Sequence, residues 1–405
     1  MRYIVIVLCY LTFTGALHAI NQQYPLSLPP SPNHHPIWSP DGEWIAYQRS
    51  NGRSGSYDLA DISLLRVPVP GYYYNGFPVI TWNRQNSQGL MDCQLLSWSP
   101  DSRALLYIVT QANAAGTGML YRVDIGNDGQ DHAVLLIAPK DFLWPMRAVD
   151  AVPIWSPNGR SIAMIINNNT LLTIDADGKN RVAVTDACTG FSWSPDSARI
   201  AYTTGGKLTV VDRDGENIRV LANNHFRGPL HWLPDGKTIL AMQSLNQREP
   251  VKGDLWAISA QDGEIRRLTP ETEHYISDVM PSPDGRRVAF IHMARVIEGD
   301  TARDVKQACI TPCDTWTPIP LTSDALSIHW SADSNLIGIV TGRKEDVGKP
   351  AYQAHLFTMQ GELLRTFPVD NPEFCGGVSF SPDGTRFAYS YNGAIIIDAI
   401  APVQR

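Results

Sequence analysis

Four histidines lie within a few residues before copies of one short motif, and imidazole is well suited to acid–base catalysis and to metal binding near neutral pH. They are His34, His35, His231 and His329. A metal centre would also need a carboxylate at a matching spacing, and none accompanies them. The sequence therefore predicts packed or solvated imidazoles, no metal site and no cofactor.

One position near the same motif varies in chemistry from copy to copy. It lies five residues before each motif start and is occupied by Asn33, Cys93, Asp150, Cys188, Arg227, Ile276, Ala325 and Cys375. A purely structural position would repeat one residue type, so we expect this position to border a binding surface. Asp150 and Arg227, together with His35, are candidate binding residues. For the three cysteines we expect small, half-buried loop residues, and the alternative is a thiol or metal cluster.

Two aromatic segments provide further candidates for binding. The stretch "GYYYNGFPVITWNRQ" (71–85) contains Tyr72, Tyr73, Tyr74 and Trp82, and "DFLWPMRAV" (141–149) adds Trp144. Exposed aromatic loops on a rigid scaffold are common binding sites. The alternative is that these aromatic side chains fold back over the edge of a sheet.

The sequence contains no complete motif for a serine hydrolase or for a calcium-binding loop. The serine-hydrolase pattern G-x-S-x-G is absent, and "DADG" (175–178) lacks the third acid and the distant Glu of a calcium loop. Cys309 and Cys313 flank a short turn and could form a local disulfide in an oxidising compartment. We therefore assign no catalytic residue.

The motif itself recurs eight times along the chain. The copies start at Trp38, Trp98, Trp155, Trp193, Trp232, Pro281, Trp330 and Phe380. Typical copies read "WSPDG" or "WSPDS" and precede alternating apolar stretches such as "RIAYTT". Pro, Asp and Gly favour a tight turn, and alternation predicts a strand, so each copy indicates a β-hairpin.

A second hairpin follows in several copies, for example "TIDADGKNRVAVT" (173–185) and "VVDRDGENIRVL" (210–221). Two hairpins make four antiparallel strands for each repeat, which is typical of a propeller blade. The last copy lacks its fourth strand, and the segment around Leu26 is spaced like one. We therefore predict an all-β, eight-bladed β-propeller of four-stranded antiparallel blades, closed by an N-terminal strand that completes the last blade.

The repeats "WSPDG…IAY" and "D-x-D-G" resemble those of the TolB-like propeller family, relatives of WD-type blades. The resemblance covers essentially the whole chain after residue 19. It implies a propeller fold, and it implies little about activity because propellers serve many functions. The separate α/β domains of known TolB and prolyl oligopeptidase relatives have no counterpart in this sequence.

The first residues have the layout of a secretory signal peptide. Arg2 precedes an apolar run that ends in small residues at Ala19. We expect a signal peptide at 1–19, a TolB-like propeller at 20–405, and secreted or periplasmic localisation without a membrane span after cleavage. An uncleaved anchor is the alternative. The net charge of −7 disfavours a nucleic-acid partner.

These observations favour an exported binding or scaffold module for a protein or polysaccharide ligand, held at the loop-bearing propeller face. One alternative is an enzyme, a channel-site polysaccharide lyase or hydrolase, which would need converging ionisable groups such as His35 or His231 beside Asp150 or Asp278. Another is an anchored extracytoplasmic sensor domain.

Overall fold

The computed structural model describes residues 24–25, 33–54, 57–67, 77–80, 91–111, 118–125, 132–138, 152–166, 169–244, 253–270, 276–298, 301–344, 350–370 and 377–400. Within these ranges the chain forms β-strands and no α-helix. Accordingly, no helix in the described part of the chain is long and apolar enough to cross a membrane.

Each motif connects the first and second strands of a unit of consecutive strands, and we number the units 1 to 8 along the chain. Before unit 1 comes β1 (Tyr24–Pro25). Units 1 to 3 contain β2 (Asn33–Trp38), β3 (Trp44–Ser54), β4 (Tyr57–Arg66), β5 (Phe77–Ile80), β6 (Met91–Trp98), β7 (Ala104–Gln111), β8 (Gly118–Asp124), β9 (His132–Ile137), β10 (Ile154–Trp155), β11 (Ser161–Ile166), β12 (Thr170–Asp175) and β13 (Val182–Thr185).

The later units follow the same order. Units 4 to 6 contain β14 (Cys188–Trp193), β15 (Arg199–Thr204), β16 (Lys207–Asp212), β17 (Arg219–Asn223), β18 (Phe226–Trp232), β19 (Thr238–Ser244), β20 (Gly253–Ser259), β21 (Ile265–Arg267), β22 (Ile276–Pro281), β23 (Arg287–Glu298), β24 (Thr301–Pro312) and β25 (Ile319–Ser323). Units 7 and 8 contain β26 (Ala325–Trp330), β27 (Leu336–Lys344), β28 (Pro350–Thr358), β29 (Leu363–Val369), β30 (Val378–Phe380), β31 (Arg386–Tyr391) and β32 (Ala394–Ala399).

Strand pairing is antiparallel and sequential in every unit. Units 1 to 4 and unit 7 are separate four-stranded sheets, which confirms the predicted hairpins and the all-β class. Units 5 and 6 share one eight-stranded sheet, in which only the pair Gly253 and Ile276 joins β20 to β22. In unit 8, β1 occupies the fourth place, with Tyr24 opposite Ile397 in β32.

The motif turn is held by its serine and aspartate. In unit 1 the Ser39 hydroxyl donates to Asp41 Oδ1 over 2.5 Å and accepts the amide of Trp44 over 2.9 Å. The Asp41 carboxylate also accepts the amide of Glu43 at 2.9 Å. Gly42 has φ 73, a conformation that glycine adopts without strain. The motif aspartates are therefore turn residues, as the sequence predicts.

The apolar core is divided among the interfaces between units. Trp98 of unit 2 packs with Ala46 and Leu64 of unit 1, and equivalent clusters follow for each later pair. Another cluster joins Trp38 of unit 1 to Ile395 of unit 8. Consecutive four-stranded sheets packed face to face in this way are the architecture of a β-propeller.

The first strand of each unit lies on the inside of this arrangement. First strands of neighbouring units contact one another along the series β14, β18, β22, β26, β30, β2 and β6. A surface formed by these strands is shared by several units, so it is the natural place to look for a site.

Candidate binding surface on the first strands

The residue directly before each motif start is the accessible residue at the end of its first strand. We name this set the pre-motif residues: Ile37, Ser97, Ile154, Ser192, His231, Met280, His329 and Ser379. Each of them is half-buried or exposed, with 42% exposure at Ile154 and 40% at Met280. The aromatic residue that follows turns into the core, as at Trp38 and Trp98. The alternation of a strand therefore aims the pre-motif residues at a shared inner surface.

Pre-motif residues also link neighbouring units. Where the residue is Ser379 or Ser192, its hydroxyl accepts the backbone amide of Trp38 or Trp232 in the next unit, at 3.2 and 3.0 Å. Where the residue is apolar, its backbone carbonyl accepts the next indole N–H. These bonds run from Trp98 to Ile37, from Trp193 to Ile154 and from Trp330 to Met280, over 3.0 to 3.2 Å.

Bulges redirect side chains just ahead of the pre-motif residues. The register shifts within β2, between His34 and Ile37, and within β22, between Ser277 and Met280. His35 and Asp278 lie at these shifts with φ 58 and 51, in the left-handed region that non-glycine residues seldom adopt. β-Bulges commonly re-aim side chains near functional sites. Asp278 is exposed, and its carboxylate accepts the Ser277 hydroxyl over 2.8 Å.

His329 belongs to a small polar group between units 7, 8 and 1. Its Nε2 lies 2.9 Å from the Ser327 hydroxyl. Burial, and to a lesser extent the charge of nearby His35, lower the pKa of His329 to about 4. The imidazole is therefore neutral at pH 7, and it can donate one hydrogen bond and accept another.

His231 occupies the equivalent place in unit 5 and faces unit 6. Burial lowers its pKa to about 4, against the opposing effect of a backbone hydrogen bond with Val279. Its Nε2 is buried without a hydrogen-bond partner in the described part of the chain. His231 thus presents a second neutral imidazole beside the bulge that carries Asp278.

The predicted site residues are only partly brought together. Tyr72, Tyr73, Tyr74, Trp82, Trp144 and Asp150 lie outside the described residues, as does Cys375. The aromatic stretch 71–85 is not a single loop, because Phe77–Ile80 within it forms β5. His35 lies at the first-strand surface beside His329.

The position five residues before the motif differs from the prediction. Cys93 and Cys188 lie inside β6 and β14 and are 1% exposed, so they are core residues of the strands and do not border a channel mouth. Ile276 and Ala325 are fully buried as well.

Arg227 does not occupy the position equivalent to these residues. The strand partners align Phe226 of β18 with Cys188 of β14, since Phe226 pairs with Gln243 and Cys188 with Thr204. An additional residue in the β18 bulge shifts the count by one, which places half-buried Arg227 next to this position. Counting residues back from a motif cannot detect a bulge.

The described residues contain neither a metal-binding group nor the predicted disulfide between Cys309 and Cys313. Among the described residues, no group of three or more His, Cys, Asp or Glu lies close enough together to hold a metal ion. Cys309 and Cys313 pack in one apolar cluster and are not joined by a disulfide. Burial, together with the carboxylates of Asp284 and Asp314, raises the pKa of the Cys313 thiol to about 12.

Sequence reasoning missed two contributors to the surface, Ser327 and Gly377. Both lie three residues before a motif start, as do His35 and Asp278. Comparing that position across the repeats would have indicated them.

Comparison with known proteins places the chain by fold. No protein-family model matches the sequence, and no curated protein matches it. An oligogalacturonate lyase from Vibrio parahaemolyticus is similar in structure, with a TM-score of 0.51 and 12% identity over 94% of this chain and 97% of that one. This similarity extends over nearly the full length of both chains and shows a common fold.

Two other solved structures align less closely. The Cps50 (Swd1) beta-propeller domain of Myceliophteria thermophila has a TM-score of 0.49 and 14% identity over 75% of this chain and 95% of that domain. A protein described as TolB from Agrobacterium tumefaciens has a TM-score of 0.40 and 21% identity over 67% of this chain and 95% of its own. The sheets and their packing define the class of this chain as an all-β propeller protein.

Proposed function

We propose that this chain is an exported, closed eight-bladed β-propeller that binds a protein or polymer ligand at its inner surface without transforming it. Each unit would be one blade. The pairing of β1 with β32 supports ring closure, and so does the apolar cluster between units 1 and 8. The apolar segment before Ala19 supports export.

The chemistry of the pre-motif residues carries the proposal. Neighbouring positions repeat one residue type, such as the motif tryptophan or serine, because they hold the sheets together. The pre-motif residues instead include Ile154, Ser192, His231 and Met280 on successive units. A mixed apolar and hydrogen-bonding surface on rigid strands suits a shaped ligand.

The state of the histidines favours binding over catalysis. A general acid or base works best with a pKa near the working pH, whereas the pKa values of His231 and His329 are about 4. The contacts of these imidazoles are a hydroxyl and a backbone group. Neutral imidazoles are good hydrogen-bond partners for hydroxyl and amide groups.

A polysaccharide lyase or hydrolase acting at the same surface is the second candidate. The observation that favours it is the exposed carboxylate of Asp278, held in a strained conformation one residue from the backbone contact of His231. A carboxylate next to an imidazole could exchange protons with a bound sugar.

Thermal stability against a panel of neutral and acidic oligosaccharides tests the first candidate. A ligand that binds only the folded state raises the midpoint by mass action. We expect His231→Gln and His329→Gln to abolish that rise. His355→Gln is the matched control, because His355 lies in β28 and bonds Thr341 and Thr366 away from the inner surface.

The same samples separate the two functions. Release of shortened sugars, lost in Asp278→Asn, would establish the enzyme and overturn the binding role. If no oligosaccharide raises the thermal midpoint, chemical crosslinking to a candidate partner protein, the bait, tests for a protein ligand. A bait that reacts equally with the His231→Gln variant would also contradict the proposed surface.

A further inference from the structure

A cleft of about 570 Å³ opens where the motif turns of units 3 and 4 meet unit 2. Three arginines line it, Arg122 from unit 2, Arg160 from unit 3 and Arg213 from unit 4, together with Asp175 and Asp177. The Asp177 carboxylate is paired with Lys179 at 2.9 Å. Three guanidinium groups at one cleft repel one another, and the chain as a whole carries a net charge of −7. We therefore ask what holds these three arginines together.

Arg213 departs from the pattern of the repeat. Its backbone amide donates to Ala198 at the start of the second strand, and equivalent amides in other units make the same bond. The residues at those positions are Val67, Ile125, Ala176, Ala260, Cys313 and Ile400. Arg213 is therefore the charged member of an otherwise apolar set.

Arg122 departs in the same way at a second position. It pairs with Leu106 in the neighbouring strand, and the equivalent pairs place Leu64, Thr173, Val210, Ala257, Ile310, Leu356 and Ile397 there. All seven of these side chains are buried. At both positions the other units carry uncharged residues, and the two charged exceptions converge on one cleft, as is expected of local exceptions at functional sites.

The guanidinium of Arg213 retains unused donors. Its Nη1 bonds Asp175 Oδ1 at 2.6 Å and the Ser161 hydroxyl at 2.7 Å. The other oxygen of Asp175 accepts the side-chain amide of Asn180 at 2.7 Å. Both oxygens of Asp175 thus accept a hydrogen bond, while Nε and Nη2 of Arg213 make no hydrogen bond within the described ranges.

Arg122 leaves one donor without an acceptor. Its Nη1 donates to the carbonyl of Ala176 at 3.0 Å, and its Nη2 pairs with Asp124. Its Nε is buried and has no partner among the residues that the structure describes. A buried, unsatisfied donor is costly, so Arg122 is kept beside this cleft at the expense of one hydrogen bond.

We propose that this cleft binds an oxyanion, a carboxylate or phosphate group. The guanidinium groups of Arg213 and Arg160 supply donors in the forked geometry that such anions accept, and Arg122 adds positive charge beside them. Arg160 is exposed at the edge of the cleft, where it would meet the ligand first. The site lies at the turn ends of the units and is separate from the first-strand surface.

Titration of the full chain with inorganic phosphate and with acetate tests the proposal, with chloride holding the ionic strength constant. At least one of the two anions should raise the thermal midpoint, and the one that does identifies the group recognised. Arg213→Ala and Arg122→Leu introduce residues that other units carry at these positions. We expect each to fold and to weaken anion binding by about tenfold.

Arg219→Ala is the matched control. Arg219 lies on the same face between units 4 and 5, but its guanidinium already donates to the carbonyls of Gln261 and Ala260. Anion binding should be unchanged in this variant. Arg160→Ala removes an exposed side chain without a structural contact between units in the described part of the chain, so it tests the site even if the Arg122 and Arg213 variants fail to fold, and it should weaken binding about threefold.

Two results would overturn the inference. One is a midpoint that neither phosphate nor acetate raises above the chloride reference. The other is equal binding by the wild type and by Arg160→Ala and Arg213→Ala, which would leave Arg122 and Arg213 as links between units only.

Discussion

Gly377 in unit 8 faces His329 in unit 7 so closely that a β-carbon on Gly377 would lie 2.5 Å from His329 Nε2. The imidazole therefore occupies the space that a side chain of the next unit would need. Gly377 also has φ 77, which disfavours any other residue. The charge of His35 in unit 1 also lowers the pKa of His329.

Gly377→Ala should destabilise the protein by about 2 kcal/mol or more, because the new methyl group collides with the imidazole and the backbone is strained. His329→Ser introduces the residue found at Ser192 and Ser379, so it should relieve the collision. The double variant should recover part of the loss, measured by urea denaturation as a double-mutant cycle. Additive losses would mean that the two residues do not interact.

Acidification should weaken the fold through His231 and His329. Their pKa values are about 4 in the folded protein, against 6.5 for an ordinary imidazole. Between these values the unfolded chain binds protons and the folded chain does not, so the free energy of unfolding falls as the pH drops from 6.5 to 4. Each histidine contributes at most about 3 kcal/mol to this loss. Urea denaturation from pH 7.5 to 4.5 measures it.

The matched variant for that experiment is His231→Gln with His329→Gln, which should flatten the pH dependence. Burial lowers the pKa of His355 too, so a residual slope of the same sign should remain. An unchanged slope in the double variant would exclude the two pre-motif histidines as its cause.

Most of the fold follows from local chemistry that the sequence displays directly. The turn from Trp155 to Ser161 and the hairpin over 173–185 are encoded in residues that touch one another along the chain. Such local patterns are read reliably because their turn residues have narrow conformational preferences.

The candidate sites were harder to predict, because they depend on register and on neighbouring units. A bulge of β18 places Phe226, not Arg227, among the equivalent core residues. Arg122 and Arg213 are far apart in sequence, and they line the same cleft only because units 2 and 4 flank unit 3. Neither relationship leaves a local pattern, although comparison of the repeats position by position would have revealed both arginines.

Removing a motif serine should cost more than removing an exposed turn hydroxyl. Ser194 is buried, donates to Asp196 at 2.5 Å and accepts the amide of Arg199 at 2.9 Å. Ser194→Ala should therefore reduce the free energy of unfolding by about 1–3 kcal/mol. The Ser194 hydroxyl is also the main cause of the lowered pKa of Asp196, so that pKa should rise.

Unit 5 supplies the comparison, because Leu233 replaces the motif serine there. Its Asp235 instead accepts the exposed hydroxyl of Thr238 at 2.8 Å. Thr238→Val should cost less than about 1 kcal/mol by the same urea measurement. Equal losses in the two variants would contradict the view that the buried serine network stabilises the turns.

The N-terminal strand offers a direct test of ring closure. Tyr24 and Pro25 pair with Ile397 and Ile396, which otherwise form the edge of unit 8. A chain lacking residues 1–32 should unfold with about 1–2 kcal/mol less free energy than a chain lacking residues 1–19, because the ladder hydrogen bonds are lost. The exposed strand edge should also promote association, detectable by light scattering.

Adding a peptide of residues 20–32 should restore both properties if β1 acts by completing unit 8. Identical stability and mass for the two truncated chains would show that the ring does not depend on this strand.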